Sequence, residues 1–127
     1  YLVSGGFDVI TGPVAALCGF HDHHANHMHV GDGKILGTVQ TPVLDRNAKA
    51  AYLAHYCKQH GIDLVDTATI GDGANDLAML QAAGMGVAFE GKALLLAEVA
   101  IQLNHTDLRG LLYLQGYKDS DFVLEKI

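Results

Sequence analysis

The segment ATIGDGANDLAML, residues 68 to 80, is the most informative part of this chain. A short apolar run ends at Gly71-Asp72-Gly73, and Asn75-Asp76 opens a predicted helix two residues later. A strand, a polar turn and a helix in this order are typical of α/β proteins, whose ligands bind beyond the carboxyl ends of the strands. The turn between the two apolar segments is therefore the first candidate for a functional site.

Two carboxylates, Asp72 and Asp76, lie close together in this turn. Asp76 alone has a structural explanation, because an acid in the first helical turn gains about 0.3–1 kcal/mol from the helix dipole. Asp72 has none, and neighbouring carboxylates repel each other unless a cation intervenes. Mg²⁺ commonly binds one or two carboxylates together with a substrate phosphate. The turn therefore favours a Mg²⁺ site, with Asn75 as a neutral donor and acceptor for substrate; the alternative is a capped helix after a polar turn.

Two further features fit a phosphorylated ligand. Ser4-Gly5-Gly6 follows a predicted strand, and its hydroxyl and backbone N–H groups can hold phosphate oxygens. Lys49 lies near the start of a predicted helix, where the helix dipole disfavours a cation unless an anion is bound nearby. Each feature alone also has a purely structural explanation. Ser4-Gly5-Gly6 could be an ordinary glycine turn, and Lys49 could be a solvated surface lysine.

The composition predicts one domain over residues 1–127 with a substantial core, because 50% of the residues are hydrophobic and 17% are charged. The net charge of −6 disfavours nucleic acid and anionic membranes as partners. No apolar stretch approaches the roughly 20 residues of a membrane span, and no signal peptide opens the chain. Cys18 and Cys57 lie in helix-like segments, where we expect reduced, buried thiols of a cytoplasmic protein.

Strands alternate with helices along the chain, which predicts an α/β fold with a parallel sheet flanked by helices. Apolar spacing turns Val14, Leu17 and Cys18 inward from the first helix, and Leu53, Tyr56 and Cys57 inward from the second. The predicted strands are 1–4, 67–70, 87–89 and 100–103, and a hairpin is predicted over 29–39. The first predicted helix starts at Thr11-Gly12-Pro13, and the other helices are predicted over 45–59, 77–83, 92–98 and 106–115.

Together these segments resemble the haloacid-dehalogenase-type phosphatases, and within them the phosphoserine phosphatases. Ser4-Gly5-Gly6 is similar to the second motif of that family. The segment DRNAKAAYL, which contains Lys49, is similar to the third motif, and the segment IGDGANDLAMLQAAGMGVAF is similar to the fourth. HHANHMHVGDGKILGTV resembles the family's Ala-Asn stretch before a hairpin, and NHTDLRGLLYLQGY resembles the end of the bacterial enzymes. The resemblance covers nearly the whole chain and implies a Rossmann-like core.

The resemblance also implies roles. Ser4 and the Gly5 backbone would bind the phosphoryl oxygens, and Lys49 would neutralise the phosphate and its developing charge. Asp72 would ligate Mg²⁺, Asp76 would hold Lys49 or a metal-bound water, and Asn75 would touch the substrate. Phosphoserine would be hydrolysed to serine and phosphate, the last step of serine biosynthesis, through an aspartyl-phosphate.

One departure from the family is serious. The first motif, D-x-D-x-T/V after an apolar strand, carries the nucleophile and the general acid, and it is absent here. Asp119-Ser120-Asp121 follows a polar segment at the wrong end of the chain, and we reject it as a substitute. The small cap domain is absent as well. We therefore expect the carboxy-terminal portion of such an enzyme, an incomplete core that is inactive alone and whose exposed strand edges favour self-association or a strand from another chain.

Several alternatives remain open. The chain could be a catalytically dead domain that binds phosphate and Mg²⁺ for regulation, or part of a related phosphatase for another small phosphomonoester. A third alternative is a metal-binding module, since His23 and His27 are four residues apart and could share a helix face. We favour solvated or loosely packed imidazoles for the whole cluster, which comprises His21, His23, His24, His27 and His29.

Overall fold

A computed structural model describes residues 1–123 and has seven strands and five α-helices in that range. Strands and helices alternate except over residues 23–39, where three strands follow one another, and the strand pairs outside the hairpin are parallel, as the sequence predicts. The strands are β1 (Leu2–Phe7), β2 (His23–Asn26), β3 (Met28–Gly31), β4 (Lys34–Val39), β5 (Ala68–Gly71), β6 (Met85–Phe89) and β7 (Ile101–Leu103), and the helices are α1 (Asp8–Cys18), α2 (Ala48–His60), α3 (Leu77–Ala82), α4 (Ala93–Glu98) and α5 (Gly110–Leu114).

The parallel strands form two separate sheets. Strand β1 pairs with β2, and β5, β6 and β7 form a three-stranded sheet in that order. Helix α2 contacts β1 on one side and α3 on the other, so it bridges the two sheets. Within residues 1–123, β1 therefore has hydrogen bonds along one edge only, and so has β5. The sequence predicted the parallel pairing and an incomplete core. It did not predict that the strands divide into two sheets.

Strand β1 continues through the segment where the sequence predicts a turn. Ser4, Gly5 and Gly6 lie within it, but they bulge out of the ladder, because four steps from Val3 to Phe7 match only two steps on β2. The prediction of a turn at Gly5-Gly6 is therefore wrong. Two hydrogen bonds hold the extra residues, since the Ser4 hydroxyl accepts one from the Gly6 N–H and the Gly5 carbonyl accepts one from Asn26 Nδ2.

Helix α1 starts at Asp8, directly after β1, rather than at Thr11-Gly12-Pro13. Pro13 therefore lies inside the helix. The buried side chains are Thr11 and Ala15, because these small residues allow the helix to lie close to the strands. The predicted inward residues are wrong: Val14, Leu17 and Cys18 are exposed.

The hairpin of β3 and β4 is confirmed, with Asp32 and Gly33 both at positive φ as a tight primed turn requires. Helix α2 is confirmed to within three residues at its start, and Gly61 ends it in a left-handed conformation. Of its predicted inward residues, Tyr56 is buried, while Leu53 and Cys57 are half-buried. Strand β2 was not predicted, because its sequence His-His-Ala-Asn lacks the apolar alternation of a strand.

The main core lies between the three-stranded sheet and its helices, where Leu80, Ala88, Leu95 and Val99 form one buried cluster. Helix α5 is shorter than predicted, because the Asp107 carboxylate accepts hydrogen bonds from the backbone and side chain of Arg109 and holds that segment as a turn. None of the helices within residues 1–123 is long and apolar enough to cross a membrane.

Candidate active site

Lys49 and Asp76 form a largely buried ion pair between α2 and the start of α3. The Lys49 ammonium lies 2.5 Å from Asp76 Oδ1, and the two side chains are 19% and 5% exposed. Lys49 is the second residue of α2, so the helix fixes its backbone while its long side chain reaches across to the other sheet. The pair places a cation, oriented by a carboxylate, at the carboxyl end of β5.

The second oxygen of Asp76 organises the turn that follows β5. Oδ2 accepts hydrogen bonds from the backbone N–H groups of Asp72 and Gly73, both at 3.0 Å. A β-carbon added at Gly71 would overlap the Asp76 carboxyl group. Gly71 therefore makes room for the Asp76 carboxyl group. One buried carboxylate thus connects Lys49 to the backbone of Asp72.

The Asp72 side chain is exposed and makes no hydrogen bond or ion pair with other residues in the range 1–123. It lines a hollow of about 290 Å³ at the ends of β5 and β6, together with Glu90 and Leu108. Within the described part of the chain, no group of three or more potential ligand side chains converges as a metal cage would. Asp72 thus offers one free carboxylate beside open space, which suits an ion that keeps waters and a phosphate as its other ligands.

Ser4 and Gly5 lie on the bulge of β1, on the other parallel sheet. The Ser4 hydroxyl oxygen accepts a hydrogen bond from the Gly6 N–H at 3.0 Å, and its own proton has no acceptor among residues 1–123. No hydrogen bond in that range joins Ser4 or Gly5 to Lys49, Asp72 or Asp76. The hydrogen bonds of Asp76 therefore connect Lys49 with the Asp72 backbone, while Ser4 and Gly5 belong to the β1–β2 sheet.

Asn75 and the segment Asp119-Ser120-Asp121 both lie in short exposed turns. Asn75 is exposed in a short 3₁₀ turn, Ala74–Asp76, between β5 and α3, and its side chain makes no hydrogen bond within the described residues. Asp119-Ser120-Asp121 forms another 3₁₀ turn, is exposed, and bonds only to its own surroundings at Tyr113 and Lys118. Nothing in its position favours it as a catalytic D-x-D.

Two residues near these elements, Asn26 and Glu90, have positions that the sequence did not predict. Asn26 ends β2, is 6% exposed, and hydrogen-bonds to both Gly5 and Leu44. A polar residue between predicted elements gave no sign that it would be buried. Glu90 follows β6 at positive φ and lines the hollow beside Asp72. Its position after an apolar strand was the signal that could have revealed it, because neighbouring parallel strands end at the same edge.

The histidine cluster is partly built into the fold rather than gathered as a metal site. His21, His27 and His29 are exposed, whereas His24 stacks on Tyr52 and lies 2.5 Å from the Tyr56 hydroxyl. Burial lowers the pKa of His24 below its ordinary value of 6.5. The pKa of Tyr56 is raised to about 12, mainly because the side chain is buried and secondly because its hydroxyl donates a hydrogen bond to Asp22. Because β2 is a strand, the proposed helical pairing of His23 with His27 does not occur.

Comparison with known proteins links these elements to one enzyme family. Residues 1–81 match the model of the haloacid dehalogenase-like hydrolases. The phosphoserine phosphatase of Methanocaldococcus jannaschii is 40% identical over 111 residues, which cover 87% of this chain and 53% of that enzyme. The phosphoserine phosphatase of Haemophilus influenzae is 39% identical over 93% of this chain and 38% of its own length.

Solved structures agree with these relatives. A structure described as a phospho-aspartyl intermediate analogue of phosphoserine phosphatase superposes with a TM-score of 0.82 at 40% identity, covering 88% of this chain and 54% of that one. The chain therefore spans about half the length of these relatives, or less. The shared fold extends over most of the 127 residues.

Proposed function

This chain belongs to the haloacid dehalogenase-like hydrolases, and on that basis we propose that it carries the phosphate- and Mg²⁺-binding part of a phosphoserine phosphatase. The observation that carries the proposal is the Lys49–Asp76 pair, whose carboxylate also holds the Asp72 backbone. A buried cation beside a free carboxylate at a strand end suits a phosphate ester and a divalent ion together.

Asp72 is the residue that would hold Mg²⁺. Its carboxylate is free and exposed at the carboxyl end of β5, beside an open hollow. When bound there, Mg²⁺ would polarise a phosphoryl oxygen and neutralise its charge. Asp76 holds the Asp72 backbone in place through its Oδ2, which keeps the Asp72 carboxylate at the carboxyl end of β5.

The remaining site residues act on the phosphate itself. Lys49 is held 2.5 Å from Asp76 Oδ1, which limits its motion and directs its other N–H groups towards an incoming anion. Ser4 keeps a hydroxyl proton that can be donated to a phosphoryl oxygen, with the Gly5 backbone beside it. Asn75 is exposed next to Asp72 and would contact the substrate.

The nucleophile of the proposed reaction is not among these 127 residues, since no D-x-D-x-T/V follows an apolar strand. We propose that a strand bearing it pairs along the free edges of β1 and β5, and that the 127 residues alone do not turn over substrate. The same free edges support self-association of the chain when that strand is lacking.

The test is a chimaera in which this chain replaces the matching part of the Methanocaldococcus jannaschii phosphoserine phosphatase. We expect the chimaera to release phosphate from O-phosphoserine with Mg²⁺ and to lose activity in EDTA, while the 127-residue chain alone releases none. A folded chimaera without activity would favour the alternative, a regulatory domain that binds phosphate and Mg²⁺. Faster release from another small phosphomonoester would point to a related phosphatase instead.

The cellular setting follows from the same proposal. A phosphoserine phosphatase acts in serine biosynthesis, and we place this protein in the cytoplasm. The free thiols of Cys18 and Cys57 support a reducing compartment.

A further inference from the structure

Asn26 connects two loops that the proposed site needs. Its side chain is buried at the end of β2, where Nδ2 donates to the Gly5 carbonyl at 3.0 Å and Oδ1 accepts from the Leu44 N–H at 2.8 Å. Gly5 lies on the bulge of β1, and Leu44 precedes the helix that carries Lys49. A reversed amide would face each partner with the wrong group, so both bonds fix the orientation of Asn26.

The bond to Gly5 orients more than a carbonyl. The Gly5 C=O and the Gly6 N–H belong to one planar peptide unit, so fixing the carbonyl also fixes the direction of the N–H. That N–H donates to the Ser4 hydroxyl oxygen at 3.0 Å. Because the Ser4 oxygen is the acceptor in this bond, the Ser4 hydroxyl keeps its proton for another partner. A chain of hydrogen bonds from Asn26 through Gly5-Gly6 to Ser4 polarises the hydroxyl as a donor.

We infer that Asn26 is a positioning residue, which orients the Ser4 hydroxyl towards a bound phosphate and holds the start of the Lys49 helix against the same bulge. This inference rests on the proposed function of Ser4. Both polar atoms of the buried Asn26 side chain are already bonded to Gly5 and Leu44, so we expect no direct contact with the phosphate. Asn26 acts through the Gly5-Gly6 peptide on one side and through Leu44 on the other.

Asn26→Asp separates the two bonds, because aspartate keeps an oxygen for the Leu44 N–H but has no N–H for the Gly5 carbonyl. In the full 127-residue chain, amide exchange by NMR should show faster exchange at Gly6 and unchanged protection at Leu44. Asn26→Ala should increase exchange at both amides. Asn104→Asp, at an exposed asparagine that follows β7 in the other parallel sheet, is the control and should change neither.

The functional arm is a titration with inorganic phosphate and Mg²⁺, followed at the Ser4 and Gly6 amides. Asn26→Asp should weaken phosphate binding by about threefold to tenfold, the effect of one lost hydrogen bond, while Asn104→Asp binds as the unchanged chain does. Ser4→Ala reports on the site itself. Weaker binding in Ser4→Ala with unchanged binding in Asn26→Asp would overturn the positioning role alone. Absence of phosphate binding by the unchanged chain would overturn both the proposed site and this role.

Discussion

Asp76 is the residue on which the candidate site depends most. Its two oxygens accept one ammonium and two backbone N–H groups, and it is almost fully buried. Local sequence patterns placed Asp76 at a strand end but did not predict its direction, because a helix-dipole role explained it equally well, and the contact with Lys49 was implied only by the family resemblance. The ion pair with Lys49 joins residues 27 positions apart, and only tertiary structure brings them together.

Asp76→Asn should destabilise the chain by about 3 kcal/mol, because it leaves the buried Lys49 ammonium without a carboxylate. Asp107→Asn removes the partner of Arg109 in an exposed ion pair and is the matched control, with an expected loss below about 1 kcal/mol. Urea unfolding at pH 7 measures both free energies of unfolding. Equal losses in the two variants would contradict the burial of the pair.

Gly71→Ala tests why glycine precedes Asp72. The added methyl group would overlap the Asp76 carboxyl group, so we expect a loss of about 1–3 kcal/mol from overpacking. Gly5→Ala is the control, since a β-carbon there meets no other atom within 4 Å. Thermal or urea unfolding distinguishes the two variants. A neutral Gly71→Ala would mean that Asp76 does not pack against this glycine.

Among the helices and strands, the structure differs most from the sequence predictions where polar residues make the packing contacts. Strand β2 was not predicted, because its two histidines and one asparagine lack the apolar alternation of a strand. In the structure, His24 from β2 packs on Tyr52 and Tyr56 from α2. The apolar spacing of α1 was equally misleading, since its large apolar residues, Val9, Ile10, Val14 and Leu17, are exposed. By contrast, β5, the following turn and α3 were predictable because each has its own local signal.

The packing of β2 against α2 should make stability pH-dependent. Burial lowers the pKa of His24, so below about pH 6.5 the unfolded chain takes up a proton that the folded chain resists. The free energy of unfolding should therefore fall as pH drops from 7 to 5. His24→Gln, which keeps an N–H for Tyr56, should make that fall smaller, measured by urea unfolding at each pH. His105→Gln, at an exposed histidine, should leave this fall unchanged, and an equal reduction in both variants would contradict the assignment to His24.

Across the whole molecule, two parallel sheets are joined by α2 and by the Lys49–Asp76 pair. The alternation of strands and helices was enough to predict the α/β class. The register and the grouping into sheets were not predictable from local patterns, because they depend on which strand edges meet. The main core packs on the β5–β6–β7 sheet, so the site residues after β5 have the firmest support.

The most direct test of the account is the rate of phosphate release from O-phosphoserine by the chimaera with Asp72→Asn. The unchanged chimaera should turn over, and Asp72→Asn should lower kcat at least about 100-fold, because it removes the carboxylate proposed to hold Mg²⁺. Asp66→Asn, an exposed aspartate just before β5, is the control and should change kcat less than about twofold. Full activity of a folded Asp72→Asn chimaera would contradict the central claim that this strand end binds the metal and the phosphate.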